Sequence, residues 1–147
     1  MRIAALITGT VSLALDVLLG TAWAAESATP GPIAVEIWRH GDIGSTVKFA
    51  EAVEQEIYGS TMFKRNRTRQ PETLVIFISA TVQQVEIENR SQSWYQVEFK
   101  TVDEKNLGTS SGACWADGLS RCAKRVRADA ELAALRMSAV ALPNAQR

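Results

Sequence analysis

The chain has 147 residues, a length that fits one domain of ordinary size and is too short for two. Its 16 basic and 16 acidic side chains give a formal net charge of zero at neutral pH. This balance argues against a general nucleic-acid-binding protein, which would carry a clear basic excess.

Residues 1–24 have the pattern of a secretory signal peptide. Met1-Arg2 is a positively charged amino-terminal region, and an apolar run extends from Ile3 to Leu19. Ala22-Trp23-Ala24 has the A-x-A pattern of a signal-peptidase cleavage site, so we expect cleavage after Ala24. Asp16 interrupts the apolar run, and a charge at the centre of a spanning helix costs about 2.5–3.5 kcal/mol. The sequence therefore predicts a periplasmic or secreted protein with no stable membrane span after cleavage. The residue directly after the cleavage site is Ala25 and not a cysteine, so lipoprotein acylation is not indicated.

The first half of the mature chain predicts a strand followed by a helix. Residues 25–32 are small and carry Pro and Gly, as in a linker, and a single domain is expected over residues 33–138. Alternation predicts a strand over 33–38. A helix over 46–58, with Ser45 as its cap, is predicted by three- and four-residue spacing of its apolar side chains. The apolar set is Phe49, Ala50, Val53 and Ile57, and the outer set is Lys48, Glu51, Glu54 and Glu56.

The second half predicts a meander of strands and a closing helix. A short extended piece at Met62-Phe63 precedes a strand over 73–87, whose alternation slips by one near residues 83–84, which predicts a bulge or bend. A hairpin loop at 89–93, strands over 95–101 and 107–112, and a helix capped by Asp117 follow. Residues 139–147 are expected to be a frayed tail. The order β-α-β-β-β-α predicts an α+β two-layer sandwich, with both helices on one face of a mostly antiparallel sheet.

The buried stripe of the last helix and its cysteine lead to one further prediction. The stripe consists of Leu119, Cys122, Val126, Ala130, Ala133 and Met137. Cys114 and Cys122 are the only cysteines, and in an oxidising compartment such a pair is most simply a disulfide. The spacing is not C-x-x-C, and a zinc site would need further ligands in a chain with one His. We expect no metal and no cofactor.

The sequence contains the beginnings of three catalytic arrangements, and none meets the requirements of its mechanism. Arg39-His40-Gly41 copies the R-H-G opening of the histidine phosphatase superfamily, but that mechanism uses a second His and His40 is the only one. A Ser-His-Asp triad would also have to recruit His40. Glu86 and Glu88 fit a solvated hairpin end better than a glycosidase pair. The sequence therefore predicts a non-enzymatic protein, and a small hydrolase using His40 with Arg39 and Asp42 is the weakest alternative.

Basic and aromatic side chains are the candidate binding residues. The loop cations Lys64, Arg65, Arg67 and Arg69 are either solvated or meet anionic headgroups, a glycan or an acidic partner. Trp94, beside a hairpin, is the candidate exposed anchor, whereas Trp115 beside Cys114 is expected to pack over the disulfide. A second basic group on the exposed part of the last helix comprises Arg121, Lys124, Arg125 and Arg127.

Four segments together resemble small bacterial envelope domains in outline. They are the helix at 45–58, the strand Thr73-Leu74-Val75-Ile76-Phe77-Ile78, the strand Tyr95-Gln96-Val97-Glu98-Phe99, and the segment Leu107-Gly108-Thr109-Ser110-Ser111-Gly112. This rhythm resembles the amino-terminal domain of the Tol translocation protein and the outer-membrane activators of penicillin-binding proteins. The resemblance implies an accessory or binding role in the envelope, without catalysis. This chain departs from those domains by its cysteine pair and by lacking a helix between the later strands.

These observations lead to two functional hypotheses. The first is an exported, periplasmic, non-enzymatic accessory module that binds an envelope protein or a cell-wall component. The second is an inhibitor or immunity protein that plugs the active site of an exported enzyme, since small size and a disulfide suit that role equally.

Overall fold

The computed structural model describes residues 31–141 apart from 43, 67, 69 and 80–82. The predicted signal peptide, most of the predicted linker and the end of the predicted tail lie outside the described residues, as do Arg67 and Arg69. The described elements, in chain order, are β1 (Ile33–Arg39), α1 (Gly44–Tyr58), β2 (Phe63–Arg65), β3 (Leu74–Ile78), β4 (Gln83–Ile87), β5 (Arg90–Thr101), β6 (Asn106–Trp115), a 3-10 turn (Ala116–Gly118) and α2 (Leu119–Ala141).

The six strands form one mixed sheet organised around the long strand β5. Strand β6 pairs antiparallel with one edge of β5, while β3 and β4 follow each other along the opposite edge, also antiparallel. Beyond β3 the order continues to β1 and then β2, and both of these pairings are parallel. The α+β class is confirmed. The short extended piece predicted at Met62-Phe63 is displaced to the edge strand β2, which takes in Lys64 and Arg65 of the predicted basic loop.

One face of the sheet packs on the two helices and forms the core. Leu74, Ile76, Val97 and Phe99 are at most 1% exposed on this face. The predicted stripe of α1 is confirmed, since Phe49, Ala50, Val53 and Ile57 are all buried. The ring of Phe49 stacks on Tyr95 with 4.7 Å between centroids. From α2 the core takes Val126 and a set of small side chains, namely Ala123, Ala130, Ala133 and Ala134.

One prediction about the sheet is wrong, and one about its attachment to the helices is confirmed. The predicted strand over 73–87 is two strands, β3 ending at Ile78 and β4 beginning at Gln83, and the bulge or bend predicted near 83–84 is absent, because Gln83 and Gln84 pair in regular register with Trp94 and Ser93. The disulfide Cys114–Cys122 joins the end of β6 to the first turn of α2, with the Cα atoms 6.2 Å apart. The helix layer is therefore covalently fixed to the sheet at one end.

Three local predictions are wrong in position. The hairpin turns at Glu88 and Asn89, whose φ values of 51° and 63° suit a two-residue turn. Residues 90–93 of the predicted loop therefore belong to strand β5. Asp117 lies in the 3-10 turn, where its carboxylate pairs with Arg90 at 3.4 Å. The last helix continues to Ala141, into the predicted tail. In each case the prediction rests on a polar or small residue and its neighbours along the chain, whereas strand pairing and packing against distant elements determine the structure at that position.

Candidate functional site

The face of the sheet opposite the helices carries an exposed apolar group at the β4–β5 hairpin. Val85 is 42% exposed, Ile87 40% and Trp94 53%. We call the surrounding surface the hairpin face and define it by Val85, Ile87, Arg90, Gln92, Trp94 and Trp115.

Strand register places these side chains together. Val85 pairs with Gln92 and Ile87 with Arg90 across the hairpin, and Trp115 of β6 pairs with Gln92 from the other side. Directly paired residues of antiparallel strands share a face, and alternate residues along one strand do the same. Ser93 and Tyr95 are 5% and 3% exposed, because they point the opposite way, into the core.

The hairpin face carries one cation, and that cation has partners. The guanidinium of Arg90 lies 4.4 Å from the ring centre of Trp115, and its Nη2 lies 3.4 Å from Asp117 Oδ2. The prediction that Trp115 packs over the disulfide is wrong, because Trp115 follows Cys114 in a strand and so faces the other side of the sheet. Because Arg90 is already paired, the rest of the hairpin face is uncharged and mostly apolar.

Further along the same side of the sheet, the charged groups are paired locally. A cleft of about 150 Å³ is lined by Trp38, Phe77 and Lys100, among others. Lys100 Nζ lies 2.6 Å from Glu98 Oε2, and this hydrogen bond raises the pKa of Lys100. The indole Nε1 of Trp38 donates to Glu36 Oε2 at 3.0 Å. Of the two charged residues that line the cleft, Lys100 is thus already paired and Glu104 is exposed.

The basic loop is divided between structural and exposed cations. Arg65 Nη2 lies 3.4 Å from Glu54 Oε2, and the Arg65 guanidinium lies 4.4 Å from the ring centre of Tyr58, so Arg65 holds β2 against α1. Burial raises the pKa of Tyr58. Lys64 is exposed and lines a cleft of about 430 Å³ together with Met137 near the end of α2. The loop itself is held by Asn66, whose Nδ2 donates to Thr73 Oγ1 at 2.7 Å.

The basic group on the last helix is likewise smaller than predicted. Arg127 reaches Glu56 Oε2 at 3.5 Å and Glu131 Oε1 at 3.6 Å, and it lies between the helices. The side chain of Glu56 is only 18% exposed, so its predicted place on the outer face of α1 is wrong. Arg121, Lys124 and Arg125 are exposed. Sequence reasoning also missed Leu132 and Leu135, which are 53% and 60% exposed on the same helix.

The residues considered for catalysis lie on open surface. His40 is exposed at the end of β1, where its backbone N–H donates to the carbonyl of Ile78 at 3.0 Å. Arg39 Nη2 and Asp42 Oδ1 are 3.8 Å apart, with side chains 42% and 94% exposed. Glu86 is exposed in β4 and Glu88 lies in the hairpin turn. The structure brings none of these pairs into a described cleft with His40.

Metal-binding clusters and membrane-spanning helices are both absent from the described residues. Among them, no three His, Cys, Asp or Glu side chains are grouped so that they could hold a metal ion. Neither described helix combines the length and the hydropathy needed to cross a membrane.

Comparison with known proteins gives a likeness of fold. No family model matches the sequence, and no curated protein matches it. Among solved structures, the PelC dodecamer from Paraburkholderia phytofirmans is similar in fold, with 9% identity, coverage of 71% of this chain and 87% of that chain, and a TM-score of 0.46. A single-residue variant of that dodecamer in another crystal form gives 11% identity, coverage of 71% and 90%, and a TM-score of 0.45. Neither comparison tests the resemblance to the Tol protein or the penicillin-binding-protein activators, which stays a prediction.

Proposed function

We propose that this chain is an exported accessory module of the cell envelope, without catalytic activity, that binds a protein partner through the hairpin face. The observation that carries this proposal is the grouping of Val85, Ile87 and Trp94, which are 42%, 40% and 53% exposed on one side of a hairpin. Exposed apolar groups of this kind mark interaction sites in small soluble domains.

The chemistry of the hairpin face favours a protein over a charged glycan. Its single cation, Arg90, is engaged with Trp115 and Asp117, so the free contact area is apolar. Trp is the side chain most enriched at the energetic centre of protein interfaces. In the described structure β4 pairs only with β5, so its outer edge can also accept a strand from a partner.

The compartment is argued from two independent features of the chain. Residues 1–24 have the charge, apolar run and small-residue exit of a secretory signal peptide. The disulfide Cys114–Cys122 is of a kind that persists in an oxidising compartment and is rare in the cytosol. Both features support export to the envelope or beyond it.

Capture from a detergent extract of the native envelope tests the binding role. The baits are the mature wild-type protein, the Trp94→Ala variant, and Leu132→Ser as a matched control that removes an equally exposed apolar side chain from the opposite side of the fold. We expect one dominant, stoichiometric protein with the wild type and the control, and its loss with Trp94→Ala. With the purified partner, the affinity should fall by roughly 30-fold or more, as at an interface hot spot.

Other outcomes of the same experiment would contradict the proposal. Equal capture by Trp94→Ala would remove the hairpin face from the interface, and retention of cell-wall glycan without protein would replace the partner class. An exported enzyme that is inhibited one-to-one would instead identify the protein as an inhibitor or immunity protein. Phosphatase or esterase activity that disappears in His40→Ala would overturn the non-catalytic assignment.

A further inference from the structure

A second surface lies on the opposite side of the molecule, along the exposed side of α2. The buried residues of this helix, such as Val126 and Ala130, face the sheet and α1. The residues about half a turn away point outwards, because successive helical residues are separated by about 100°. We call this surface the α2 outer face and define it by Arg121, Lys124, Arg125, Leu132, Leu135 and Arg136.

Every charged side chain of the α2 outer face is basic. Arg121, Lys124 and Arg125 are exposed and have no ion-pair partner among the described residues. Arg136 is also exposed, and its Nη1 donates to the carbonyl oxygen of Leu107 at 2.7 Å, which fixes its position and leaves its charge uncompensated. The local surface is therefore cationic although the whole chain is neutral.

Acidic groups near this surface are few and lie to its sides. Asp129 and Glu131 flank the α2 outer face and are half-buried, and Glu131 pairs with Arg127. On the neighbouring helix α1, the exposed Glu51 is balanced by the exposed Lys48. The four cations are thus not neutralised from the adjacent element.

The same surface exposes two leucines between its cations. Leu132 and Leu135 are 53% and 60% exposed, more than Val85 or Ile87 on the sheet. Arg125 and Arg136 lie on either side of them, about 16 Å apart along the helix axis at 1.5 Å per residue. Long basic side chains can bind anionic groups at the level of the headgroups while neighbouring leucines enter the apolar layer below.

We propose that the α2 outer face docks this protein on an anionic lipid surface. A bilayer with anionic headgroups fits both features of this surface, because it offers negative charge to the four cations and an apolar layer beneath to the two leucines. The helix lies in the plane of the interface and does not cross it. This surface is separate from the hairpin face, so the proposal does not depend on the protein partner.

Vesicle sedimentation with the purified mature protein tests this proposal. The vesicles contain phosphatidylglycerol and phosphatidylcholine in equal parts, and pure phosphatidylcholine vesicles serve as the reference. We expect binding to the anionic vesicles that weakens as salt is added. Arg121→Gln/Arg125→Gln should lower the partition coefficient about 25-fold, at about fivefold for each cation near an anionic surface. Leu132→Ser/Leu135→Ser should lower it roughly tenfold or more.

Controls separate docking from non-specific attraction and from loss of fold. Arg39→Gln removes an exposed cation that lies at the end of β1 and pairs with Asp42, and it should leave the partition coefficient unchanged. Thermal unfolding of each variant checks that the fold is intact. An environment-sensitive dye on Leu135→Cys should shift to shorter wavelength on the anionic vesicles. Binding that is no stronger than to phosphatidylcholine, equal losses in the control variant, or an unshifted dye would each overturn the proposal, as would capture of an acidic protein at this face without vesicle binding.

Discussion

Removal of the disulfide by Cys114→Ala/Cys122→Ala should destabilise the protein by an amount set mainly by chain entropy. The two cysteines are separated by 8 positions, so the bond closes a short loop between β6 and α2. For a loop of about nine residues, the restriction of the unfolded chain is worth about 2.5 kcal/mol. With an unfolding entropy of about 2.1 cal/mol/K per residue over about 110 residues, this corresponds to a fall in Tm of about 10 °C.

Urea unfolding of three species measures this effect. They are the oxidised wild type, the double alanine variant, and the wild type kept reduced. Both species without the bond lose the same restriction of the unfolded state, so any difference between them reports the packing of the sulfur atoms, Cys114 being only 3% exposed. A double variant within about 0.5 kcal/mol of the oxidised wild type would refute the entropic reasoning.

Two further predictions concern Tyr95 and Tyr58. A Cβ at Gly112 would lie 3.0 Å from Tyr95 Oη and 3.2 Å from its Cζ, so Gly112→Ala should destabilise the fold by about 1–3 kcal/mol in urea unfolding. Gly118→Ala, which meets nothing within 4 Å, is the control, and equal effects would contradict the steric argument. Burial raises the pKa of Tyr58 above its ordinary value of 10.0, so the unfolded chain loses that proton first as the pH rises. The contribution of Tyr58 to the free energy of unfolding should be fully present below pH 10 and should be lost as the pH rises through the pKa of the folded protein. In urea unfolding, Tyr58→Phe should therefore make the fall of the midpoint with rising pH less steep. An unchanged slope would contradict the assignment.

Periodic and covalent features could be predicted from the sequence because they depend on neighbours along the chain. The spacing of Phe49, Val53 and Ile57 requires one buried side of a helix, and the structure buries all three. The alternation of Leu74, Ile76 and Ile78 likewise predicts a strand that buries one face, and all three are buried in β3. A chain with only two cysteines allows one intramolecular disulfide, and the structure joins Cys114 to Cys122.

Contacts between distant elements could not be predicted in this way. The sequence predicts Arg127 to be an exposed cation. Its partner Glu56 belongs to the other helix, and only the packing of α1 on α2 brings the two together. The hairpin loop is predicted too far along the chain, because the polar residues from Arg90 to Ser93 resemble a loop. In the structure these residues pair with β4. The sequence predicts that Trp115 packs over the disulfide, because it is next to Cys114. Consecutive residues of a strand point to opposite faces of the sheet, so Trp115 lies on the face away from Cys114.

The two proposed surfaces lie on opposite sides of a two-layer fold, and this arrangement has a functional consequence. The hairpin face belongs to the side of the sheet without helices, while the α2 outer face points away from the sheet. A protein docked by α2 on an anionic lipid surface would therefore present Trp94 away from that surface, where a soluble partner or domain can reach it. Because the surfaces share no residue, Trp94→Ala should leave vesicle binding unchanged and Arg121→Gln/Arg125→Gln should leave partner affinity unchanged. Strong coupling between the two binding events would mean that the surfaces act as one site, and the separation argued from the fold would be wrong.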